Sequence, residues 1–296
     1  MQPLLFESIT VDEIALPILK EKNVRLTVLR LDKIHPVISG NKWFKLKYYL
    51  EEASELKKKK IVTFGGAWSN HIVATAAACQ LNGFDATGII RGEESAMLLP
   101  TLRKAKEMGM QLIFINRGDY KMKILPSQFS TEEYYLIPEG GYGRKGTEGA
   151  AEILDNCNKE IYTHIACAAG TGTMLAGLIM SSLPHQNVTG ISVLKNNNEL
   201  EENVKLLLNN DPANFQIIHD YHFGGYAKYT KELLNFMNGF YRQTSIPSDF
   251  VYTGKLFFAV TDLARKNYFP SGSRLLIVHS GGLQGNASLD KRELIF

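Results

Sequence analysis

Short apolar runs, many rich in β-branched residues, alternate along the chain with stretches long enough for helices. The runs predict strands at Val24–Leu29, Lys60–Phe64, Asp85–Ile90, Gln111–Ile115, Tyr135–Ile137, His164–Ala168, Val188–Val193 and Leu275–His279. Several are continuously apolar, the pattern of strands covered on both faces in a parallel sheet. Between them the spacing predicts helices at Lys45–Leu56, His71–Asn82, Leu98–Met108, Thr147–Asn156, Thr173–Ser181, Tyr229–Asn238 and Gly254–Lys266. Strand–helix alternation of this kind argues for an α/β fold with parallel sheets. No repeat, low-complexity tract or Pro/Ser-rich linker marks a clean boundary. A two-domain chain would cross between its domains near residues 50 and 137.

Composition narrows the class without naming a function. The chain has 296 residues, 45% apolar and 21% charged, which excludes disordered and fibrous readings. Its 33 basic and 30 acidic residues leave +3, too slight a bias for a protein built on nucleic acid or an anionic membrane. The run Lys57–Lys60 reads as a solvated helix end rather than a polyanion site. Cys79, Cys157 and Cys167 form no CxxC pair and read as buried free thiols. No signal peptide is visible and no apolar run approaches a membrane span, so a cytoplasmic protein is expected.

The glycine-rich turns carry most of the information. Gly65–His71, Pro138–Gly141, Gly170–Thr173 and His279–Gly282 all fall where a strand ends, the edge at which open α/β sheets bind ligands. The loop after His164–Ala168 offers backbone N–H groups and hydroxyls at a helix N-terminus, suited to a phosphate. It is neither a Walker loop nor a full GxGxxG, because Leu175 stands at the third glycine and no acid ends the following strand. That weighs against a nucleotide-dependent oxidoreductase. Lys42 and Lys45 share one side of a first helical turn, so one can form a Schiff base while the other meets a phosphate. No GxSxG elbow accompanies them. His219 and His222 lack a third ligand, and no metal site is expected.

In this order the motifs resemble the 1-aminocyclopropane-1-carboxylate deaminase and D-cysteine desulfhydrase family. The resemblance spans nearly the whole chain and implies a two-domain, tryptophan-synthase-β-like fold with open twisted, parallel-rich sheets flanked by helices. It implies a large cofactor-binding domain of residues 1–50 and 137–296, a small domain of residues 51–136, pyridoxal 5'-phosphate as cofactor, and a homodimer. Gly40-Asn41-Lys42-x-x-Lys45-Leu46 resembles the cofactor-lysine motif, with Lys42 attached covalently and Lys45 reaching the phosphate. Ser69, Asn70 and His71 resemble the substrate-carboxylate loop, Asn70 also reaching the cofactor's ring hydroxyl. Gly170, Thr171, Gly172, Thr173 and Met174 resemble the phosphate cradle. Tyr226 and Tyr252 match two tyrosine motifs, and Pro138–Gly141 and His279–Gly282 match two further turns.

Three positions bear on the reaction. Trp68 stands where the family often has glutamine, and its indole can narrow the pocket or close its edge. Thr253 follows the second tyrosine, where deaminase members carry a glutamate beside the ring nitrogen; Ser280 is likewise the small hydroxyl residue of the desulfhydrase type. A hydroxyl gives a pyridinium no charge stabilisation, which suits expulsion of a thiolate better than cyclopropane opening. The expected reaction is β-elimination from D-cysteine or a related β-substituted D-amino acid, giving pyruvate, ammonia and sulfide. Lys42, Ser69, Tyr226 and Tyr252 are the expected catalytic set. Aminocyclopropane-carboxylate deamination is the alternative, and a non-catalytic cofactor- or amino-acid-binding protein a further one.

Overall fold

A computed structural model describes residues 4–127, 129, 133–209, 212 and 214–296. The chain opens with β1 (Val11–Ile14), α1 (Pro17–Glu21) and β2 (Arg25–Arg30), then enters α2 (Lys42–Glu55). There follow β3 (Lys60–Gly65), α3 (Asn70–Asn82), β4 (Asp85–Arg91), α4 (Pro100–Glu107), β5 (Gln111–Ile115), α5 (Arg117–Lys121) and β6 (Tyr134–Ile137). These four strands form one all-parallel sheet in the order β5-β4-β3-β6. The chain continues through α6 (Arg144–Ala151), β7 (His164–Ala169), α7 (Thr173–Ser181), β8 (Asn187–Ser192), α8 (Leu200–Leu208) and β9 (Phe215–Ile218). It closes with α9 (Lys231–Thr244), α10 (Thr253–Arg265) and β10 (Arg274–His279). The second sheet runs β1-β2-β10-β7-β8-β9, parallel except for β1.

Alternate residues of the central strands feed opposite cores, as the pleat requires. On β10, Leu275 and Ile277 pack with Leu256, Phe257 and Val260 of α10. Leu276 and Val278 face the other way, toward Leu175 and Leu178 of α7 and Val204 of α8. In the four-stranded sheet, Ile61 and Ile90 lie under Leu46 and Leu50 of α2, Ile72 of α3 and Leu102 of α4. Val62, Phe64 and Ile89 cover the opposite face with Tyr120.

The differences from expectation have local causes. β1 and β9 lie at the edges of the large sheet; β1 carries Asp12 and Glu13, and β9 is a four-residue strand interrupted by Gln216. The segment 147–156 is not one helix. α6 starts earlier and gives way to a 3-10 turn at Glu152–Asn156, where the Asn156 side chain bonds the Glu152 and Ile153 carbonyls. α9 starts later, capped by Thr230 accepting from Leu233 N–H at 3.3 Å, and carries Gly239 inside it to Thr244. Cys79 and Cys167 are buried free thiols, whereas Cys157 is only partly buried. Among the described residues no helix is long and apolar enough to cross a membrane.

Candidate active site

Lys42 is the first residue of α2, and the loop before it is pinned to the end of β10. Asn41 N–H donates to the Ser280 carbonyl at 3.2 Å. Gly40 lies so close to the same carbonyl that a Cβ would stand 1.7 Å from it, and φ there is +74°. Only glycine tolerates both conditions. The Lys42 ammonium donates to Asn41 Oδ1 at 3.0 Å. Burial lowers its pKa to about 8, against the opposing pull of the Asp249 carboxylate. Lys45, one turn on, is 4% exposed, and burial together with the Lys42 charge holds it well below its ordinary value. It has no ion pair with a carboxylate among the described residues.

The turn after β3 brings the second group. Ser69 caps α3, its Oγ accepting from Ile72 N–H at 3.3 Å, which leaves the hydroxyl proton for another acceptor. Asn70 Nδ2 would lie 2.9 Å from a Cβ on Gly282, so the end of the small sheet meets the end of β10 here. Asn70 Oδ1 is buried without a partner. His71 is 3% exposed and points behind the loop. Thr63 Oγ1 donates to the Ile137 carbonyl at 2.8 Å and therefore accepts from His71 Nε2, also at 2.8 Å. His71 Nδ1 is then an unpartnered buried acceptor. Burial, Lys42 and Lys45 all hold its pKa well below 6.5, so the ring is neutral. Trp68 lies partly buried in the same turn, one residue before the cap.

The third group begins α7. Gly170–Thr173 turn into the helix with Gly172 at φ +86°, and Ala176 N–H is the first to find a helical carbonyl, at Gly172. The N–H groups of Thr173, Met174 and Leu175 precede that bond and are open to an anion. Met174 contributes backbone only, since its side chain is in the core. A Cβ on Gly140 would lie 3.8 Å from Thr171 Cγ2, and one on Gly141 3.1 Å from Lys45 Cβ, so the Pro138–Gly141 turn joins Lys45 to this cradle.

The fourth group is on the tyrosine segments. Tyr252 precedes α10 and lies 3.4 Å (Cε1) from the Cβ position of Gly170. Tyr226 meets it edge-on, centroids 6.2 Å apart at 71°. Burial, the Tyr226 contact and Asp249 push the Tyr252 hydroxyl well above its ordinary pKa, so it carries its proton. Thr253 is fully buried and its hydroxyl proton goes to Asp249 Oδ1 at 2.7 Å. The Ser280 hydroxyl, by contrast, has no partner among the described residues. His219 bonds Glu201 Oε1 at 2.7 Å, and His222 Nδ1 accepts from Gly224 N–H at 2.9 Å.

Asp249 is a residue the motifs do not reveal. It is fully buried, and its two oxygens accept four donors: the N–H groups of Val251 and Tyr252 on one, and Thr253 N–H and Oγ1 on the other. It thereby holds the N-terminus of α10, and with it Tyr252. Its only trace in the sequence is an acid just before a helix, a common capping pattern.

The donor set fits a phosphorylated aldehyde. One buried lysine has a pKa lowered to about 8, a second has no carboxylate partner among the described residues, and a glycine-threonine turn adjoins it. Two buried acceptors of the same loop, Asn70 Oδ1 and His71 Nδ1, have no partner among the described residues.

Residues 13–281 match the family described as pyridoxal-phosphate dependent enzyme. A Pyrococcus abyssi protein, provisionally named 1-aminocyclopropane-1-carboxylate deaminase, is 31% identical, with 90% of this chain and 87% of that one covered. The bifunctional D-cysteine desulfhydrase/1-aminocyclopropane-1-carboxylate deaminase of Arabidopsis thaliana is 27% identical over 84% of this chain and 70% of its own. The crystal structure of an ACC deaminase homologue superposes with a TM-score of 0.78 at 27% identity, covering 97% of both chains. The Helicobacter pylori O-acetylserine dependent cystathionine beta-synthase, at 14% identity and a TM-score of 0.71 over 99% of both chains, shares the fold. The chain therefore belongs to the pyridoxal-phosphate-dependent enzymes of tryptophan-synthase-β-like fold, in the 1-aminocyclopropane-1-carboxylate deaminase/D-cysteine desulfhydrase family.

Proposed function

We propose that this lyase eliminates the β-substituent of a small D-amino acid, with D-cysteine its best substrate. Thr253 carries the reading: it stands where deaminase members have glutamate, and its proton is already held by Asp249. The Asp249 carboxylate is itself engaged by four donors at the start of α10. A site without a free anion at the ring nitrogen suits a reaction whose leaving group is a stable thiolate.

Bound pyridoxal phosphate would supply the electron sink for charge left at the substrate's α-carbon. Lys42 would hold it covalently, Lys45 and the 170–174 turn would hold its phosphate, and Asn70, Thr253 and Ser280 would border its ring. Ser69 Oγ and the first N–H groups of α3, with His71 behind and Trp68 beside them, would hold the substrate carboxylate. The Lys42 amine would take the α-proton as the Cα–H bond breaks; the Cβ–S pair would leave as thiolate. The Tyr226–Tyr252 pair, whose hydroxyls are held protonated, would supply the proton to the departing sulfur. The two sheets would form the lobes 1–50 with 137–296 and 51–136, the cleft lying between their carboxyl ends.

The names of the relatives favour a second reading, cyclopropane-carboxylate deamination. Measuring sulfide, ammonia and keto acid from D-cysteine, L-cysteine and 1-aminocyclopropane-1-carboxylate separates them. Sulfide and pyruvate from D-cysteine with negligible ring opening is expected. Efficient ring opening with no sulfide from either cysteine would reverse the assignment.

A further inference from the structure

We propose that Lys255 is a positioning residue that latches the turn bearing Tyr226 to the helix bearing Tyr252. Lys255 is fully buried in the first turn of α10. Its ammonium donates to two carbonyls of one turn, His222 and Gly225, each at 2.8 Å. Those two carbonyls face the same way because the turn is closed on itself: Gly225 N–H donates to the His222 carbonyl at 3.0 Å, and Gly224 N–H to His222 Nδ1 at 2.9 Å.

The turn needs holding. Phe223 and Ala227 adopt φ of +50° and +52°, in the left-handed region that L side chains avoid, flanking Gly224 and Gly225 at +92° and +114°. Tyr226 is 46% exposed, so burial of its own ring does not fix it. Its backbone must be fixed from behind, and α10 does so twice, through Lys255 and through Phe258 against Phe223 at 4.9 Å. Of these two contacts, that of Lys255 is made to the turn's main chain. Since Asp249 sets the start of the same helix and Tyr252 beside it, one rigid element carries both tyrosines. The latch works in either charge state, because a neutral amine still has the two protons it needs.

The inference rests on the functional reading of Tyr226, and the test separates the two. Holoenzymes of wild type, Lys255→Met, Lys255→Gln, Tyr226→Phe and Lys255→Met/Tyr226→Phe would be compared by hydrogen exchange and by turnover of D-cysteine. In Lys255→Met the amides of 223–228 should exchange at least about tenfold faster, while Lys255→Gln, which keeps two donors, restores protection. Turnover of Lys255→Met should fall through kcat, and the double variant should match Tyr226→Phe alone. Should Lys255→Met not fold, Lys255→Gln carries the comparison, with exchange near wild type and a small loss of kcat. Unchanged exchange in Lys255→Met, or losses that simply multiply in the double variant, would overturn the latch. Failure of the underlying reading shows differently: Tyr226→Phe then turns over normally, while faster exchange in Lys255→Met still supports the latch.

Discussion

A lysine can attack an aldehyde only as the free amine, and at its ordinary pKa almost none is free at neutral pH. Lys42 is brought to about 8 by burial, with Asp249 holding it from falling further. A tenth or so of the amine is then neutral at pH 7, on the order of a few hundred times more than for an unperturbed lysine. Capture of pyridoxal phosphate by the apoprotein, followed as borohydride-fixed absorbance in stopped flow, should accelerate about tenfold per unit below pH 8 and level off above it. Lys42→Ala should fold yet fix no cofactor; fixation in that variant would place the attachment elsewhere. The same burial makes charged Lys42 destabilising. That cost is complete below pH about 8 and is relieved as pH rises from there to the unfolded-state value of 10.5. Lys42 and Lys45 were legible as candidates through the resemblance of Gly40-Asn41-Lys42-x-x-Lys45-Leu46 to a family motif, since two lysines three apart at a helix start say little by themselves. Asp249 and Lys255 were not, because each owes its place to contacts across a turn: four donors gather on Asp249, and two distant carbonyls meet Lys255.

The element that places the nucleophile is α2, and its anchor is a backbone contact rather than a side chain. Gly40 and Gly83 make a matched pair for testing this. Both have left-handed backbone, φ +74° and +73°, but a Cβ on Gly40 collides with the Ser280 carbonyl whereas one on Gly83 meets nothing within 4 Å. Gly83→Ala should cost only the left-handed penalty, about 1 kcal/mol, with cofactor binding unchanged. Gly40→Ala must also move the α2 start off β10; a loss on the order of 2–4 kcal/mol, read by urea unfolding, should accompany loss of cofactor capture. Equal costs for the two would mean that the Ser280 contact does not anchor α2. At this scale the sequence was most readable where strands are covered on both faces. Gln111–Ile115 is found as predicted, and Lys60–Phe64 and Asp85–Ile90 each extend by one residue. The pattern fails at β1, where an edge strand leaves Val11 and Glu13 exposed, pairs Asp12 with Arg30 and has no need of apolar alternation. It also fails at α8, whose apolar face, Leu200, Val204 and Leu207, packs at helical spacing yet stood unread beside the polar run Lys195–Glu199.

For the molecule as a whole, the site is a set of charges and orphaned acceptors gathered where two sheets end, and an anion should change its energetics. Lys45 is the clearest case. With no carboxylate partner, its burial and the Lys42 charge push it well below its ordinary pKa, so in the apoprotein it is a liability. A phosphate seated on the first N–H groups of α7 reverses the sign: it favours the ammonium, and binding draws a proton onto Lys45. Affinity for inorganic phosphate should therefore fall as pH rises past the lowered pKa of Lys45 in the apoprotein. Saturating phosphate at about 100 times its Kd should stabilise by about 2.7 kcal/mol. For a chain of this size that corresponds to a thermal midpoint higher by roughly 4–5 °C. Lys45→Met removes the buried amine, so its apoprotein should melt at or above the wild-type temperature while its shift with phosphate largely disappears. The borohydride-fixed link through Lys42 should survive in that variant at high cofactor concentration, since attachment and phosphate binding fall to different residues. A Lys45→Met protein with the full wild-type phosphate shift would move the anion site away from the Lys45–Gly141–Thr171 corner.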